Sequence, residues 1–398
     1  MAVSSPTGPL SGLVVYVSAG HGFAADRVGT GTQRSVARVG MVEDDWTAHF
    51  ANHHLITDLE RQGARVVSAR ERSETDRAMV ADPTDATGAT FQETPTPMLW
   101  HTDPPRYLRL APEGTATWHL TNPNEQPAPL YVRWLPASDA DPLATYTIAI
   151  DGDERTIHID QRTEGPVDTP IAIVDGGQSA TVTLTGSGQG TLSAGPARVG
   201  GGQMSIWAPA DEAFVEQPAW SLAGKHIQQL AGAPSHVWEP RGAGMSFDAT
   251  TRARWADWSH PATETAVLLS LHTNAGGGQG TMSFVRNFCD GGVDCTPRAQ
   301  ASSQVGVLIH DNIVGVMRSY VPAWQDYGVR GNDLAEINEF INPGMPGVLL
   351  EFGFHDHPVD AAYLIREDVQ TQLSSAVVEG LAVWWSAQPQ AMAPSGSQ

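Results

Sequence analysis

The fold is decided by the stretch LVVYVSAGHG at residues 13–22, in which an apolar run ends in small residues and a histidine. An apolar run without polar alternation is typical of a strand that is buried on both faces of a parallel sheet. A helix is predicted to follow from about Glu43 to Arg61, because its apolar residues recur at helical spacing and Gly63 lies just beyond its end. Residues 64–69 then favour a second strand. This alternation of strand and helix predicts an α/β domain.

The same alternation returns after residue 204. We predict the following elements there: buried strands at Ala266–Leu271 and Gly347–Leu350, and helices near Trp220–Leu230, at Val305–Met317 and at Val369–Trp385. The first stretch is too short to build a sizeable core alone. We therefore predict that both parts share one open, mixed sheet flanked by helices.

Residues 87–203 have a different texture. A Pro/Thr-rich segment at 93–97 is typical of a linker, and short alternating runs then recur between turn signals, at 115–118, 130–134, 146–150, 156–159 and 180–184. This spacing predicts an antiparallel β-sandwich. We predict an α/β domain made of residues 1–86 and 204–388, interrupted by a sandwich at 87–203 and followed by a disordered tail at 389–398. Three consecutive domains are the alternative.

The charge balance limits the classes of partner. The formal net charge is −21, and Lys225 is the only lysine. Because neutralising phosphates requires clustered lysine and arginine, we predict no nucleic-acid partner. No apolar run reaches the ~18 residues that a membrane span requires, so we predict that the chain is not transmembrane. The run Leu13–Val17 is too short for a signal-peptide core and lacks a basic flank, so no signal peptide is visible.

The two cysteines, Cys289 and Cys295, lie in a loop rich in glycine and aspartate. A small disulfide ring, which would form in an oxidising compartment, and a pair of free thiols are both compatible with this spacing. A zinc site built on this pair is not expected, because no further cysteine exists to complete it.

Four polar residues lie at the ends of predicted strands or at the start of a helix. His21 follows the first strand, Glu43 opens the first helix, and His272 and Glu351 each end a later strand. Ligands of open α/β sheets bind outside the carboxyl ends of the strands. All four side chains are therefore expected to converge on one crevice.

The types of these residues indicate a hydrolytic zinc centre. Two imidazoles and one carboxylate are a usual donor set for catalytic Zn²⁺ and leave room for water. A second carboxylate outside the metal shell can take the water proton and return it to a leaving nitrogen. We predict that His21, Glu43 and His272 bind Zn²⁺. We predict Glu351 as the catalytic base, because a glutamate on an apolar strand is costly without a role.

The α/β portion resembles the zinc-dependent N-acetylmuramoyl-L-alanine amidases of the AmiC/CwlV type. The segment GHG at 20–22 is similar to the first zinc-ligand motif of that family, and Glu43 lies where the second ligand opens a helix. The segment SLHTNA at 270–275 is close to the third-ligand strand, and PGVLLEFGF at 346–354 matches the motif of the catalytic glutamate. The resemblance implies hydrolysis of the amide between muramic acid and L-alanine in peptidoglycan. It also implies a periplasmic or extracellular location in the cell envelope, and we expect a monomer.

The chain departs from the family pattern near the second ligand. Ser18 and Ala19 precede the glycine-histidine-glycine motif where the family usually has Asp-Pro. The interval from His21 to Glu43 is also longer than usual. Asp44 or Asp45 is therefore an alternative second ligand.

Five further histidines need an interpretation. His355 and His357 replace residues that are commonly isoleucine and asparagine in the family; they could line the cleft, but we expect a solvent-exposed turn. His49 and His53 lie four positions apart on the first helix, next to His54, and this spacing can bind a metal ion. Because no glutamate stands between them, we favour an exposed or domain-contacting face.

The predicted sandwich more loosely resembles the golvesin C-terminal-like domain, a β-sandwich found with such amidases. Trp118, the segment YVRW at 131–134 and Tyr146 carry this likeness. It implies a module associated with the wall or with glycans, and no activity follows from it.

Two other functions stay open. Another zinc amidohydrolase or a carboxypeptidase would use similar chemistry on wall peptides, although the His-x-x-Glu pattern of zinc carboxypeptidases is not present around His21. A non-catalytic wall-binding protein is the second alternative. The presence of all four polar residues argues against it.

Overall fold

A computed structural model describes residues 7–26, 29–34, 37, 40–84, 89–92, 107–162, 168–208, 213–238, 248–260, 264–289, 295–342 and 344–388. The strands are β1 Leu13–Ala19, β2 Phe23–Asp26, β3 Gly29–Thr32, β4 Arg65–Ser68, β5 Met79–Ala81, β6 Ala89–Gln92, β7 Tyr107–Leu110, β8 Thr115–Thr121, β9 Ala128–Val132, β10 Ala144–Ile150, β11 Asp153–Ile159, β12 Thr169–Val174, β13 Ser179–Thr185, β14 Leu192–Ala194, β15 Ala197–Val199, β16 Gln203–Ala208, β17 Ala213–Pro218, β18 Thr265–Asn274, β19 Thr281–Val285, β20 Asp326–Gly331 and β21 Gly347–Phe354. The helices are α1 Glu43–Phe50, α2 Ile56–Arg61, α3 Gly224–Leu230, α4 Ser235–Trp238, α5 Asp248–Ser259, α6 Pro297–Tyr320, α7 Pro358–Leu364 and α8 Glu367–Ser386.

A six-stranded sheet in the order β20-β19-β21-β18-β1-β4 carries the candidate site. Strands β4, β1, β18 and β21 run parallel, whereas β19 is antiparallel to β21. The predicted open, mixed sheet flanked by helices is confirmed, and the chain also contains further antiparallel sheets.

Strand β1 explains why its sequence is apolar without alternation. Leu13, Val15 and Val17 belong to the main core, which includes residues of α6 and α8, whereas Val14 and Tyr16 point to the opposite face and join a second cluster with Ala256 of α5. All of its residues are buried. Both faces of the strand are therefore covered, as expected for a central parallel strand.

The predicted helix at 43–61 is present, but its middle is widened. Helices α1 and α2 are joined without a break by the π-helical segment Ala51–Leu55. Gly63, just beyond the end of α2, has a φ of 91°, a left-handed conformation that glycine adopts at low cost.

Three predicted boundaries are wrong: two strand ends and one helix start. His272 and Glu351 do not end their strands, because β18 and β21 continue to pair as far as Asn274 and Phe354. The helix predicted near Trp220 begins only at Gly224, since Leu222 is extended and a 3-10 turn, Ala219–Ser221, precedes it.

Antiparallel sheets occupy most of residues 79–199. Their orders are β11-β10-β13-β8, β12-β9-β15-β5 and β14-β7-β6, and their shared hydrophobic core is mostly aliphatic but includes Trp118, Trp134 and Tyr146. The six-stranded sheet draws its strands from 13–68 and 265–354, on either side of this region. The division into domains stays a prediction. The linker predicted at 93–97 and the tail predicted at 389–398 lie outside the described residues.

Two smaller expectations concern the cysteines and the membrane. Cys289 and Cys295 form a disulfide, which settles the choice between a bridge and two thiols. Among the described residues, no helix combines the length and the apolar character that crossing a bilayer requires.

Candidate active site

The turn after β1 places an imidazole at the edge of the sheet. His21 has a φ of 61°, in the left-handed region that non-glycine residues rarely adopt. A Cβ atom on Gly20 would lie 2.5 Å from the His272 ring, and one on Gly22 would lie 2.6 Å from Ala223. A side chain at either position would collide with these neighbours, so both positions require glycine. This packing explains the two glycines of the motif at 20–22.

His21, Glu43 and His272 meet at this edge. Oε1 of Glu43 lies 3.0 Å from Nδ1 of His272 and 3.4 Å from Nε2 of His21, and it accepts a hydrogen bond of 3.0 Å from the backbone nitrogen of Thr273. The two imidazole rings are 4.8 Å apart and nearly perpendicular. All three residues are buried, and one donor atom from each lies within 4.8 Å of the others, so this group could hold a metal ion.

The aspartates next to Glu43 have other surroundings. The carboxylate of Asp44 accepts hydrogen bonds from the backbone nitrogens of Gly22 (2.8 Å), Gln33 (2.9 Å) and Arg34 (3.1 Å). Asp44 thus holds the loop between β1 and α1, and exposed Asp45 borders a separate cavity with His49. Glu43 is the acidic residue that the helix start brings to the two imidazoles.

Burial and ion pairing shift the pKa values of Glu43 and His272 in opposite directions. Burial alone would raise the pKa of Glu43, but hydrogen bonds with His21 and His272 outweigh it and hold the pKa well below its ordinary value. Burial would lower the pKa of His272, yet Glu336 and Glu43 raise it to about 10. Burial lowers the pKa of His21. The cluster therefore keeps its carboxylates ionised despite their burial.

Glu336 is a member of the site that the sequence did not predict. Both of its carboxylate oxygens lie 3.1 Å from Nε2 of His272, opposite the nitrogen that faces Glu43. Arg252 of α5 donates to Glu336 at 2.6 Å, and the hydroxyl of Ser270 also donates to it. Glu336 lies in a 3-10 turn, Ala335–Ile337, whose position depends on tertiary packing, so no local signal marks it.

Glu351 lies beside the cluster on the neighbouring strand. It is the register partner of His272 in the parallel β18–β21 pair. Burial raises its pKa to about 7, and its Oε2 has no hydrogen-bond partner among the described residues. A carboxyl group of this kind can exchange a proton near neutral pH.

The expectation for His355 is wrong, because this residue is buried. Its Nδ1 lies 2.9 Å from the hydroxyl of Thr273 and 3.7 Å from Oε2 of Glu43, so it packs behind the cluster. The backbone nitrogen of His355 donates to Asn274, which draws the turn after β21 inward. His357 is partly exposed, with Nδ1 at 3.3 Å from Asp360.

The histidines of the first helix lie outside this cluster. His49 and His54 contact Glu367 at the start of α8, and His53 contacts Glu74. They form groups of their own with these carboxylates.

Comparison with known proteins supplies a family for part of the chain. Residues 233–383 match the family Amidase_3, described as N-acetylmuramoyl-L-alanine amidase. This segment contains His272, Glu336 and Glu351, whereas His21 and Glu43 precede it. A search of curated proteins gave no match.

Several solved structures are similar. The catalytic domain of CwlV, an N-acetylmuramoyl-L-alanine amidase from Bacillus (Paenibacillus) polymyxa var. colistinus, is 21% identical with a TM-score of 0.27; the match covers 35% of this chain and 66% of that one. The amidase Ami1 of Mycobacterium smegmatis is 12% identical with a TM-score of 0.41, and covers 95% of this chain and 99% of that one. AmiC2 of Nostoc punctiforme is 10% identical with a TM-score of 0.36, with coverage of 96% and 99%.

The match at 233–383 confirms the family predicted from the segments at 270–275 and 346–354. Residues 233–383 of this chain are thus similar to the N-acetylmuramoyl-L-alanine amidase family.

Proposed function

We propose that this protein hydrolyses the amide bond between the lactyl group of N-acetylmuramic acid and the first L-alanine of the stem peptide in peptidoglycan. The observation that carries the proposal is the buried group of His21, Glu43 and His272, with Glu351 as the register partner of His272. The family match at 233–383 supports the choice of substrate.

His21, Glu43 and His272 would hold Zn²⁺. Two imidazoles and one carboxylate are a donor set of catalytic zinc sites, and their donor atoms already lie within 4.8 Å of one another. The chemistry that zinc supplies in such a site is polarisation of the scissile carbonyl and acidification of water.

Glu351 would act as the general base and then as the general acid. Its carboxylate would take a proton from the attacking water and return that proton to the leaving nitrogen of L-alanine. Its pKa of about 7 and its unpartnered Oε2 suit both steps near neutral pH. The second step makes breakdown of the amide possible, since without that proton the nitrogen would have to leave as an amide anion, which is a poor leaving group.

Glu336 would act as a positioning residue. By accepting a hydrogen bond from Nε2 of His272, it would fix the tautomer whose Nδ1 lone pair faces the metal. Arg252 and Ser270 in turn hold Glu336, so the imidazole is braced through two layers of contacts.

The predictions about the inserted domain, the oligomeric state and the location are all compatible with an enzyme of the cell envelope. We propose that the antiparallel sheets between residues 79 and 199 form an inserted domain that associates with the wall or with glycans, and that the protein acts as a monomer in the periplasm or outside the cell. The disulfide between Cys289 and Cys295 supports an oxidising compartment.

The test is digestion of purified sacculi by the wild-type chain and by Glu351→Gln, with Glu154→Gln on exposed β11 as the matched control. Wild type and control should release intact stem peptides with a free L-alanine amine, and Glu351→Gln should not. Equal release by Glu351→Gln would overturn the assignment of the base.

Mass spectrometry of the products separates the rival functions. Release of single amino acids would identify a carboxypeptidase, and release of acyl groups would identify another amidohydrolase. Binding to sacculi without any product, by a folded chain, would identify a non-catalytic protein.

A further inference from the structure

The three histidines of the first helix gather on one side because of the π-helical segment. Hydrogen bonding from i to i+5 widens the turn at Ala51–Leu55, so that residues four and five positions after His49 both lie beside it. The ring centroid of His49 is 4.3 Å from that of His53 and 6.0 Å from that of His54.

A carboxylate from another element completes the group. Glu367, the first residue of α8, has Oε1 at 3.0 Å from Nε2 of His49 and Oε2 at 3.1 Å from Nε2 of His54. In a tetrahedral zinc site with Zn–N distances of about 2.0 Å, neighbouring donor atoms lie about 3.3 Å apart. The donor atoms of these three residues lie within 4.8 Å of one another, so small side-chain movements would bring them to that spacing.

The group is open to solvent. A cavity of about 390 Å³ borders His49 and Glu367, whose side chains are 37% and 69% exposed. An ion can therefore reach the donor atoms of His49 and Glu367 from this cavity, whereas the His54 side chain is 11% exposed and does not line it.

We propose that His49, His54 and Glu367 form a second metal site, distinct from the active site, that binds a divalent transition-metal ion such as Zn²⁺. Imidazole and carboxylate donors suit zinc, copper and nickel. The bound ion ties the π-helical segment to the start of α8. His53 and Glu74, whose Nε2 and Oε2 atoms are 2.7 Å apart, form an ion pair beside it.

The experiment counts zinc on the full chain. The protein is stripped with a chelator, reloaded with Zn²⁺, desalted and measured by elemental analysis and calorimetry. Wild type should bind two equivalents, His49→Gln one, and the control His158→Gln, at an exposed histidine of β11, two. If His49→Gln binds as much zinc as wild type, the second site does not exist.

Two further variants identify the carboxylate and separate the two sites. Glu367→Gln should lose one equivalent and Glu74→Gln should keep both; the reverse result would overturn the proposed ligand set. His21→Ala should lose the other equivalent. If the proposed catalytic centre held no zinc, wild type would bind one equivalent that His49→Gln abolishes and His21→Ala retains.

Thermal unfolding gives a readout that does not depend on activity. In the His21→Ala background, added Zn²⁺ should raise the Tm by binding the folded state, with a rise that grows with zinc concentration. Adding His49→Gln to this background should remove that rise, and a persisting rise would contradict the proposal.

Discussion

The buried group of His21, Glu43 and His272 and the exposed group of His49, His54 and Glu367 contain the same donors, two imidazoles and one carboxylate. They differ in what surrounds them. His21, Glu43 and His272 are 6%, 1% and 4% exposed, whereas the Glu367 side chain is 69% exposed.

The second difference lies in the contacts behind the donors. His272 is held by Glu336, and Glu43 by the backbone nitrogen of Thr273, so the buried group is fixed before any ligand arrives. Beyond its partners within the group, His54 has a distant contact of 3.4 Å with the hydroxyl of Thr371. The comparison teaches that donor composition can specify a metal site, but that burial and bracing contacts distinguish a site suited to catalysis.

The largest effect is expected at Glu351, the register partner of His272 in the buried group. Glu351→Gln should lower kcat on muropeptides by about 10²–10⁴-fold, the usual contribution of general acid–base catalysis. Zinc content should stay at the wild-type value, because Glu351 is not among the proposed ligands. A loss of zinc together with activity would instead place Glu351 in the metal shell.

Glu336 holds His272 in place, whereas no such positioning carboxylate lies behind the exposed group among the residues that the structure describes. Removing the Glu336 carboxylate should therefore weaken metal binding at the buried group. Glu336→Gln should weaken zinc binding at the buried site by about 10–100-fold, as for other partners of metal-bound histidines. Competition with a chromophoric chelator measures this affinity. Glu339→Gln, in the same loop, is the matched control, and equal affinities of the two variants would mean that Glu336 does not position His272.

The close packing around His21 can be tested through Gly20. Gly20→Ala would place a Cβ atom 2.5 Å from the His272 ring and should lower the free energy of unfolding by about 1–3 kcal/mol. Gly315→Ala in α6 is the control, because a Cβ there meets no atom within 4 Å. That control should stabilise the protein by about 0.5–1 kcal/mol. Urea unfolding of both variants checks the opposite signs.

The smallest effect on catalysis is expected at the exposed group. His49→Gln should leave kcat/KM on muropeptides unchanged, since within the described part of the chain the His49 ring contacts Glu367, His53 and His54 rather than the buried group. Steady-state kinetics at saturating zinc measure this. A large fall in kcat/KM would mean that the exposed group contributes to catalysis. The two groups could then no longer be treated as separate sites.

Much of the buried site could be predicted from the sequence, because strand ends and a helix start are local features. The apolar run at 13–17 predicts a central strand, and parallel strands bring His21 and His272 to one edge of the sheet. The sequence favours Glu43 as the second ligand but leaves Asp44 and Asp45 open as alternatives. What the sequence does not show is that the Asp44 carboxylate binds backbone nitrogens of the loop at 22–34.

The residues that were missed or misjudged depend on contacts between distant segments. Glu336 reaches His272 from a 3-10 turn 64 positions away, and His355 is drawn inward by pairing with Asn274. Glu367 meets His49 across 318 positions. Sequence periodicity does not show which distant segments come into contact. For the exposed group, the sequence therefore indicates only a helix rich in histidine.

The split of the six-stranded sheet has a consequence for biosynthesis. The proposed ligands Glu43 and His272 are 229 positions apart, because β1 pairs with β18 across the whole antiparallel region. A nascent chain therefore holds only two of its three proposed metal donors until synthesis has passed His272, and it has no base until synthesis has passed Glu351. The activity proposed here would be withheld from any product that ends before Glu351, so such an incomplete chain could not cleave the wall.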